Sequence, residues 1–163
     1  ISTVATDHCS FAWSDKIERS GGDVFKCPGG VPGVETRLSI LYSEGVLKRG
    51  MSRSRWVELV SAAPARLFGL ENKGRLEPGA DGDIVVFDPE AVKLLTAQSL
   101  HQADYTPFEN ITVRGWPRTV ITRSGIIVDG ERFMGKPGQG RFIARQPFCP
   151  CYFDTGGNHD QIT

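Results

Sequence analysis

The stretch at residues 74–89, GRLEPGADGDIVVFDP, is where the character of the chain changes. Its first part, Gly74 to Gly79, is rich in turn-forming residues, and its second part, Asp83 to Pro89, encloses an apolar centre between acidic residues. An apolar centre with such stops is typical of a fully buried strand. Before this stretch, apolar residues recur mainly at helical spacing, and after it the chain contains short β-prone runs. We therefore predict an α/β part and then an all-β part, with the boundary near residue 70.

The residues before that boundary predict three helices. Apolar side chains recur at helical spacing from Val34 to Lys48. Ser52 or Ser54 is expected to cap a second helix. Pro64 is expected to interrupt the hydrogen bonds of that helix and to suit the first turn of a third, short helix from Ala65 to Phe68.

The β-prone runs after the boundary are short and are joined by turn residues. Asp129-Gly130 is the strongest signal in the chain for a two-residue hairpin turn. After Gly135 we expect an extended arm that ends in a polar, disordered stretch at residues 154–163. The three runs are Ile111 to Val113, Arg118 to Arg123 and Ile126 to Val128.

The first residues, ISTVAT at 1–6, are β-branched and end abruptly at a polar cluster. This pattern predicts a buried strand that delivers a side chain at its C-terminal end. Asp7 would lie on the lip of that strand, and from the residues alone it fits a carboxylate that caps a following turn. Residues 14–33 are rich in Gly, Pro, Asp and Lys without a sustained period, so they predict a long loop, which is functional or disordered in most compact domains.

Composition excludes several classes of function. The 163 residues can bury a core and suggest one domain or parts of two, and 19 Lys and Arg balance 19 Asp and Glu, which disfavours binding to polyanions. No apolar run approaches the roughly 20 residues that span a bilayer. The four cysteines form no CxxC pair, and Cys149-Pro150-Cys151 fits neither a zinc nor a disulfide pattern. We expect a soluble, cytoplasmic protein, and the absence of an initiator Met suggests processing or a start inside a longer chain.

Four segments in order carry a resemblance to a known family. They are similar to the C-terminal third of dihydropyrimidinases and hydantoinases, cyclic-amide hydrolases of the amidohydrolase superfamily, and the likeness extends to about residue 148. The segments read TDHC at 6–9, GVPGVETRL at 30–38, APARLFGL at 63–70 and GRLEPGADGDIVVFDP at 74–89.

The resemblance implies a (β/α)₈ barrel with the active site at the C-terminal ends of its strands, together with a β-sandwich assembled from both chain ends. It assigns residues 1–72 to the last strand and C-terminal helices of the barrel. Residues 73–135 would be sandwich strands, and residues 136–163 would be the extended arm. A homotetramer is also implied.

The resemblance implies that Asp7 is both a metal ligand and the catalytic acid–base. Ring-amide hydrolysis would use two divalent ions, expected to be zinc, about 3.5–4 Å apart and sharing a hydroxide. Asp7 would ligate one ion, take a proton as the hydroxide attacks, and pass it to the departing ring nitrogen. The other ligands, a His-x-His pair, a carboxylated Lys and two further His, would lie upstream, so none of His8, His101 and His159 is assigned to them.

Gly29 and Gly30 are the candidate substrate-binding residues. The family position contacts the substrate ring through its backbone, but Pro28-Gly29-Gly30 departs here from the expected Pro-Asn-Gly order, which leaves the substrate open. The alternative is a plain Gly-rich turn. His8 is expected to be a structural hydrogen-bonding residue, and Cys9 a small buried filler instead of a nucleophile.

Other candidates are given structural roles. Glu35 and Arg37 are expected to begin a helix and to pair with neighbouring residues. Trp56 and Trp116 are expected to lie in the core or an interface. Three phenylalanines could anchor the arm on a neighbouring subunit. They are Phe108, Phe142 and Phe148.

The predicted activity is metal-dependent opening of a hydantoin or dihydropyrimidine ring to an N-carbamoyl amino acid, with this chain supplying only part of the enzyme. Alternatives are an allantoinase- or dihydroorotase-like activity, a non-catalytic scaffold protein of the same fold, or a free-standing β-rich binding module at residues 74–148. Family scaffold homologues have lost the acidic residue at the position of Asp7, so its retention favours an enzyme.

Overall fold

The protein combines a group of helices with one antiparallel sheet. The computed structural model describes residues 1–100 and 103–147. The helices are α1 (Trp13–Ser20), α2 (Arg37–Ile40), α3 (Arg53–Val57) and α4 (Ala63–Leu67), with 3₁₀ turns at Val24–Lys26 and Ala97–Ser99. The strands are β1 (Ile84–Leu94), β2 (Thr112–Thr122), β3 (Gly125–Asp129) and β4 (Arg132–Phe133).

The helices at the centre of the chain are joined by wide π-type turns. The segment Leu41–Leu47 continues α2, and Glu58–Ala62 connects α3 directly to α4. Ser52 caps α3 by accepting a hydrogen bond from the backbone of Arg55 at 3.1 Å, which confirms the predicted helix start. Pro64 lies in the first turn of α4, which confirms the predicted start of a third, short helix, but α4 follows the π segment without a gap, so the predicted interruption of the chain's helical path at Pro64 is not seen.

The helices meet the sheet through three aromatic rings. Tyr42 and Trp56 come from the helices, Phe87 comes from β1, and their ring centroids lie 4.8–5.2 Å apart. Gly115 of β2 leaves room for this cluster, since a Cβ there would lie 2.5 Å from the Tyr42 ring and 2.7 Å from that of Phe87. The predicted core position of Trp56 is therefore confirmed, with 8% of its surface exposed.

The four strands are neighbours in chain order, and each pair is antiparallel. Two of the predicted β runs, at 111–113 and 118–123, are parts of the single strand β2, which passes through Gly115 at a φ of +94°. The register places four apolar side chains opposite one another across all strands. This apolar row consists of Val85, Val120, Val128 and Phe133.

Two details of the sheet differ from the predictions. The strand at residues 83–89 was expected to be fully buried, but β1 extends to Leu94 and leaves the consecutive residues Val85 and Val86 45% and 47% exposed. Since successive side chains of a strand point to opposite faces, neither face of the sheet is fully covered at this end of β1. Asp129 pairs with Arg132, so the hairpin turn lies one residue later than predicted. The added pairing satisfies the backbone of Asp129.

The first 33 residues also differ from the predictions. Residues 1–12 form no strand, since a strand exists only through hydrogen bonds to a neighbour, and Val4 instead donates to the carbonyl of Leu59 at 3.2 Å. The predicted loop at 14–33 contains α1. No side chain at its N-cap, Ala12, caps this helix; the carboxylate of Asp104 accepts from the backbone N–H of Trp13 at 3.1 Å instead.

The residues after β4 run without regular secondary structure back to the helices. Gln146 donates its backbone N–H to the carbonyl of Gly69 at 2.9 Å, and a Cβ on Gly69 would overlap the Gln146 carbonyl. The segment after Gly135 therefore contacts the helices at residue 146. Predictions for His101, Phe148, Cys149, Cys151, His159 and residues 154–163 fall outside the described residues. No helix within 1–100 or 103–147 is long and apolar enough to cross a membrane.

Candidate active site

Asp7 lies on the surface at a strained point of the backbone. Its φ is +49°, in the left-handed region that Asp and Asn adopt more readily than most other residues. Within the described part of the chain, its carboxylate makes no hydrogen bond or ion pair. Asp7 therefore presents an exposed carboxylate that is free to accept a ligand.

His8 fixes the position of the next segment. Its Nδ1 accepts hydrogen bonds from the backbone N–H groups of Gly33 and Val34, at 3.1 and 3.3 Å. A nitrogen that accepts carries no proton, so the proton of the neutral ring lies on Nε2. The predicted hydrogen-bonding role of His8 is confirmed.

The backbone of the 30–33 segment lies directly against residues 6–9. Cys9 donates its N–H to the carbonyl of Val31 at 3.3 Å, and a Cβ on Gly30 would overlap the Cys9 carbonyl. A Cβ on Gly33 would lie 3.2 Å from that of Thr6. Only glycine fits at Gly30, where φ is +122°. Cys9 itself is exposed, so the prediction of a buried filler is wrong; its backbone makes the close contact, not its side chain.

The two candidate glycines have different surroundings. Gly29 is exposed, and a Cβ there would meet no atom of the described residues within 4 Å. The carbonyl groups of Pro28 and Gly30, on either side of Gly29, each accept a side-chain hydrogen bond. Lys16 Nζ donates to the Pro28 carbonyl at 2.7 Å, and the hydroxyl of Tyr105 donates to that of Gly30 at 3.3 Å.

Sequence reasoning missed Lys16 and Tyr105. Lys16 belongs to a segment without a clear helical period, and Tyr105 lies far away in the chain, so no local pattern links them to the glycine turn. Arg37 has the structural role predicted for it, because its guanidinium donates to the carbonyl of Val4 at 3.2 Å. Thr36 adds a hydrogen bond from its hydroxyl to the Gly33 carbonyl at 3.2 Å.

An open groove of about 840 Å³ lies beside this segment. His8 and Glu35 line one side, and the apolar row of the sheet lines another. Trp116 lines the groove, partly exposed, with the ammonium of Lys93 4.4 Å from its ring centroid. Within residues 1–100 and 103–147, no three His, Cys, Asp or Glu side chains are grouped closely enough to hold a metal ion. Asp7 can contribute one oxygen ligand, and a complete metal site would need ligands from elsewhere.

The model of the family described as "Amidohydrolase family" matches residues 1–138 of this chain. These residues include Asp7, the glycine turn and all four strands. The chain belongs to the amidohydrolase family.

Relatives of this amidohydrolase-family chain include D-phenylhydantoinases. It is 46% identical to that of Escherichia coli O127:H6 (strain E2348/69 / EPEC) over 152 residues, which are 92% of this chain and 33% of the relative. The D-phenylhydantoinase of Escherichia coli O139:H28 (strain E24377A / ETEC) is 45% identical over 152 residues, which are again 92% of this chain and 33% of the relative. The chain therefore spans about a third of the length of these curated relatives.

Solved structures of the family agree with the fold. A dihydropyrimidinase from Brevibacillus agri NCHU1002 superposes with a TM-score of 0.86 at 38% identity, covering 90% of this chain and 32% of that one. The L-hydantoinase (dihydropyrimidinase) from Arthrobacter aurescens gives a TM-score of 0.79 at 32% identity, covering 89% and 32%. The predicted resemblance to dihydropyrimidinases and hydantoinases is confirmed.

Proposed function

We propose that this chain supplies one part of a metal-dependent cyclic amidohydrolase of the dihydropyrimidinase/hydantoinase type. The observation that carries the proposal is the exposed carboxylate of Asp7, which has no hydrogen-bond or ion-pair partner among the described residues and lies beside a glycine turn in a chain that is 46% identical to a D-phenylhydantoinase. The reaction would open a hydantoin or dihydropyrimidine ring and release an N-carbamoyl amino acid.

Asp7 has two tasks in this reaction. One carboxylate oxygen would help to hold a divalent ion, with zinc the first candidate, and the remaining ligands would come from another part of the enzyme. A pair of such ions supplies a nucleophile at neutral pH and polarises the ring carbonyl. The carboxylate takes the proton of the attacking nucleophile and returns it to the ring nitrogen that leaves, as general base and then general acid.

The backbone of Gly29, which is exposed, and of Gly30, which is half-buried, is the proposed contact for the substrate ring. An amide N–H and a carbonyl oxygen match the alternating C=O and N–H groups of a cyclic ureide. Because Gly29 stands where the family pattern has Asn, an allantoinase- or dihydroorotase-like substrate is the second candidate. A panel of hydantoin, dihydrouracil, allantoin and dihydroorotate would distinguish these substrates.

The proposal extends to the whole protein. Residues 1–72 would complete a (β/α)₈ barrel, residues 73–135 would form sandwich strands, and residues 136–163 would be an arm that reaches a neighbouring subunit of a homotetramer. The enzyme would act in the cytoplasm. The partial length of the match, 33% of the relative, supports the requirement for a further polypeptide.

The decisive experiment is reconstitution with Asp7→Asn. This chain would be co-expressed with the remaining two thirds of the Escherichia coli D-phenylhydantoinase, and loss of hydantoin or dihydrouracil would be followed with added zinc. We expect ring opening by the parent complex and a decrease in kcat of at least about 10³-fold in the variant, because general acid–base catalysis alone contributes about 10²–10⁴-fold.

Metal content separates this function from a scaffold. The parent complex should retain close to two zinc ions per subunit, and Asp7→Asn should retain less. Turnover of the variant at the parental rate would refute the role of Asp7. A parent complex without bound metal and without activity towards the whole panel would instead favour the non-catalytic scaffold.

A further inference from the structure

Lys16 is a buried cation with an unusual set of contacts. Only 9% of its surface is exposed, and in the described ranges no carboxylate forms an ion pair with it. A buried ammonium is costly unless its protons are satisfied. Here Nζ donates to the carbonyl of Pro28 at 2.7 Å and lies 5.8 and 5.9 Å from the ring centroids of Phe11 and Tyr105. The two aromatic rings replace a counter-ion.

Tyr105 is itself held in place. Its ring contacts that of Trp13 at a centroid distance of 5.4 Å, and the neighbouring Asp104 accepts from the N–H of Trp13 at 3.1 Å. The first turn of α1 and residues 104–105 therefore form one unit with Lys16 between them. The hydroxyl of Tyr105 donates to the carbonyl of Gly30 at 3.3 Å.

These contacts fix both ends of the glycine turn and leave its middle free. Lys16 holds the Pro28 carbonyl, Tyr105 holds that of Gly30, and Gly30 lies tightly against the Cys9 backbone. Gly29 remains exposed, with open space around it. A Gly-Gly pair has great conformational freedom in isolation, so an external restraint is needed to keep its peptide groups in one orientation.

We propose that Lys16, assisted by Tyr105, is a positioning residue that holds the Gly29-Gly30 backbone in the orientation that binds the cyclic amide. This inference rests on the proposed function for its substrate. Lys16 does not touch the reacting atoms. Its removal should weaken binding of the ring and leave the proton transfer at Asp7 nearly unchanged.

The kinetic test uses the reconstituted enzyme. Lys16→Met keeps the length and apolar character of the side chain but removes the donor and the charge, and we expect KM for hydantoin to rise about tenfold while kcat changes less than threefold. Lys16→Arg restores a donor and should recover part of the loss. The matched control is Lys26→Met, because Lys26 is 72% exposed and pairs only with Asp23 among the described residues. The control should behave like the parent.

The structural test uses this chain alone and needs no activity. Amide hydrogen exchange in a peptide that covers residues 27–33 should become at least about tenfold faster in Lys16→Met and remain unchanged in Lys26→Met. If Lys16→Met fails to fold, Tyr105→Phe removes a single hydroxyl and should raise both the exchange rate and KM about threefold.

The outcomes separate the two proposals. An inactive parent complex refutes the proposed function and, with it, the substrate role of Lys16. An active parent combined with unchanged KM in Lys16→Met and Tyr105→Phe refutes the positioning role alone. Unchanged exchange in both variants also refutes it, because the contacts would then not restrain the turn.

Discussion

At the scale of single residues, the backbone conformation at Asp7 decides which substitution tests its chemistry. With φ at +49°, alanine would add about 1–2 kcal/mol of left-handed strain, whereas Asn tolerates this region. We predict that Asp7→Asn unfolds within about 0.5 kcal/mol of the parent in urea, and that Asp7→Ala is less stable by about 1 kcal/mol. Equal stabilities would show that the strain is relieved elsewhere.

The two glycines of the turn should respond in opposite ways to the same change. Gly30→Ala places a Cβ into the Cys9 carbonyl at a positive φ and should lower the free energy of unfolding by about 2 kcal/mol or more. Gly29→Ala adds the same methyl group to open space and should change it by less than about 0.5 kcal/mol. Urea denaturation measures both. Indistinguishable midpoints for the two variants would contradict the close approach of the two backbones.

Sequence reasoning was effective at residue scale wherever a motif was contiguous. Within the contiguous Asp7-His8-Cys9 run, His8 has the hydrogen-bonding role expected of it. It could not find Lys16 and Tyr105, because their importance comes from contacts between positions far apart in the chain. It also could not distinguish Gly29 from Gly30, whose difference lies entirely in what surrounds them.

At the scale of elements, Glu58 joins α3 to α4 across the π segment. It accepts from Arg55 at 2.8 Å and from Arg66 at 3.0 Å. The hydrogen bond from Arg55, with a further contribution from Arg66, lowers the pKa of Glu58 below its usual value of 4.5. A depressed pKa in the folded state means that the carboxylate stabilises the fold above pH 4.5, and that this stabilisation disappears as the pH falls through the lowered pKa.

Glu58→Gln should therefore destabilise the chain at pH 7 but not at acidic pH. We expect a loss of about 0.5–1 kcal/mol at pH 7, because both partners are partly exposed to solvent. The loss should become smaller as the pH falls from 4.5 through the lowered pKa of Glu58, as measured by urea denaturation across the pH range. Glu18→Gln on the exposed surface of α1 is the matched control and should show no such trend. A loss that persists at low pH would assign the effect to packing and not to charge.

Some elements were predictable from sequence and others were not, for separate physical reasons. The helix start at Ser52 was found because its capping signal is local. Helix α1 was missed because its cap is the distant carboxylate of Asp104. The exposure of β1 could not be anticipated. The apolar residues at 84–87 show which side chains are hydrophobic, but they do not show whether another layer of the fold covers them.

At the scale of the whole molecule, the apolar row lies on a face of the sheet that the described residues leave partly exposed. The apolar row crosses all four strands, with Val85 45% and Phe133 63% exposed. A continuous apolar face of this kind is unfavourable in water and is typical of a surface that another element covers. On the proposed function, strands from the preceding polypeptide cover it.

We predict that Val85→Lys weakens the assembly with that polypeptide. A buried ammonium in the apolar row would be unpaired, so co-purification with a tagged upstream fragment should fall at least about tenfold. Val24→Lys makes the same change at a site that is 76% exposed outside the sheet, and it should leave assembly intact. Equal recovery of the two variants would exclude the apolar row from the interface.

The contact between Gly69 and Gln146 determines the order in which parts of the chain can fold. During synthesis Gly69 leaves the ribosome long before Gln146, and the entire sheet lies between them. The helices can fold while the sheet is still being made, whereas this contact must wait until all four strands have been synthesised. A contact between such distant positions forms last and is a natural place for the native chain to open first. Docking of the arm on the helices is therefore the final step of folding. Cleavage of the native chain by proteases should begin where the arm detaches.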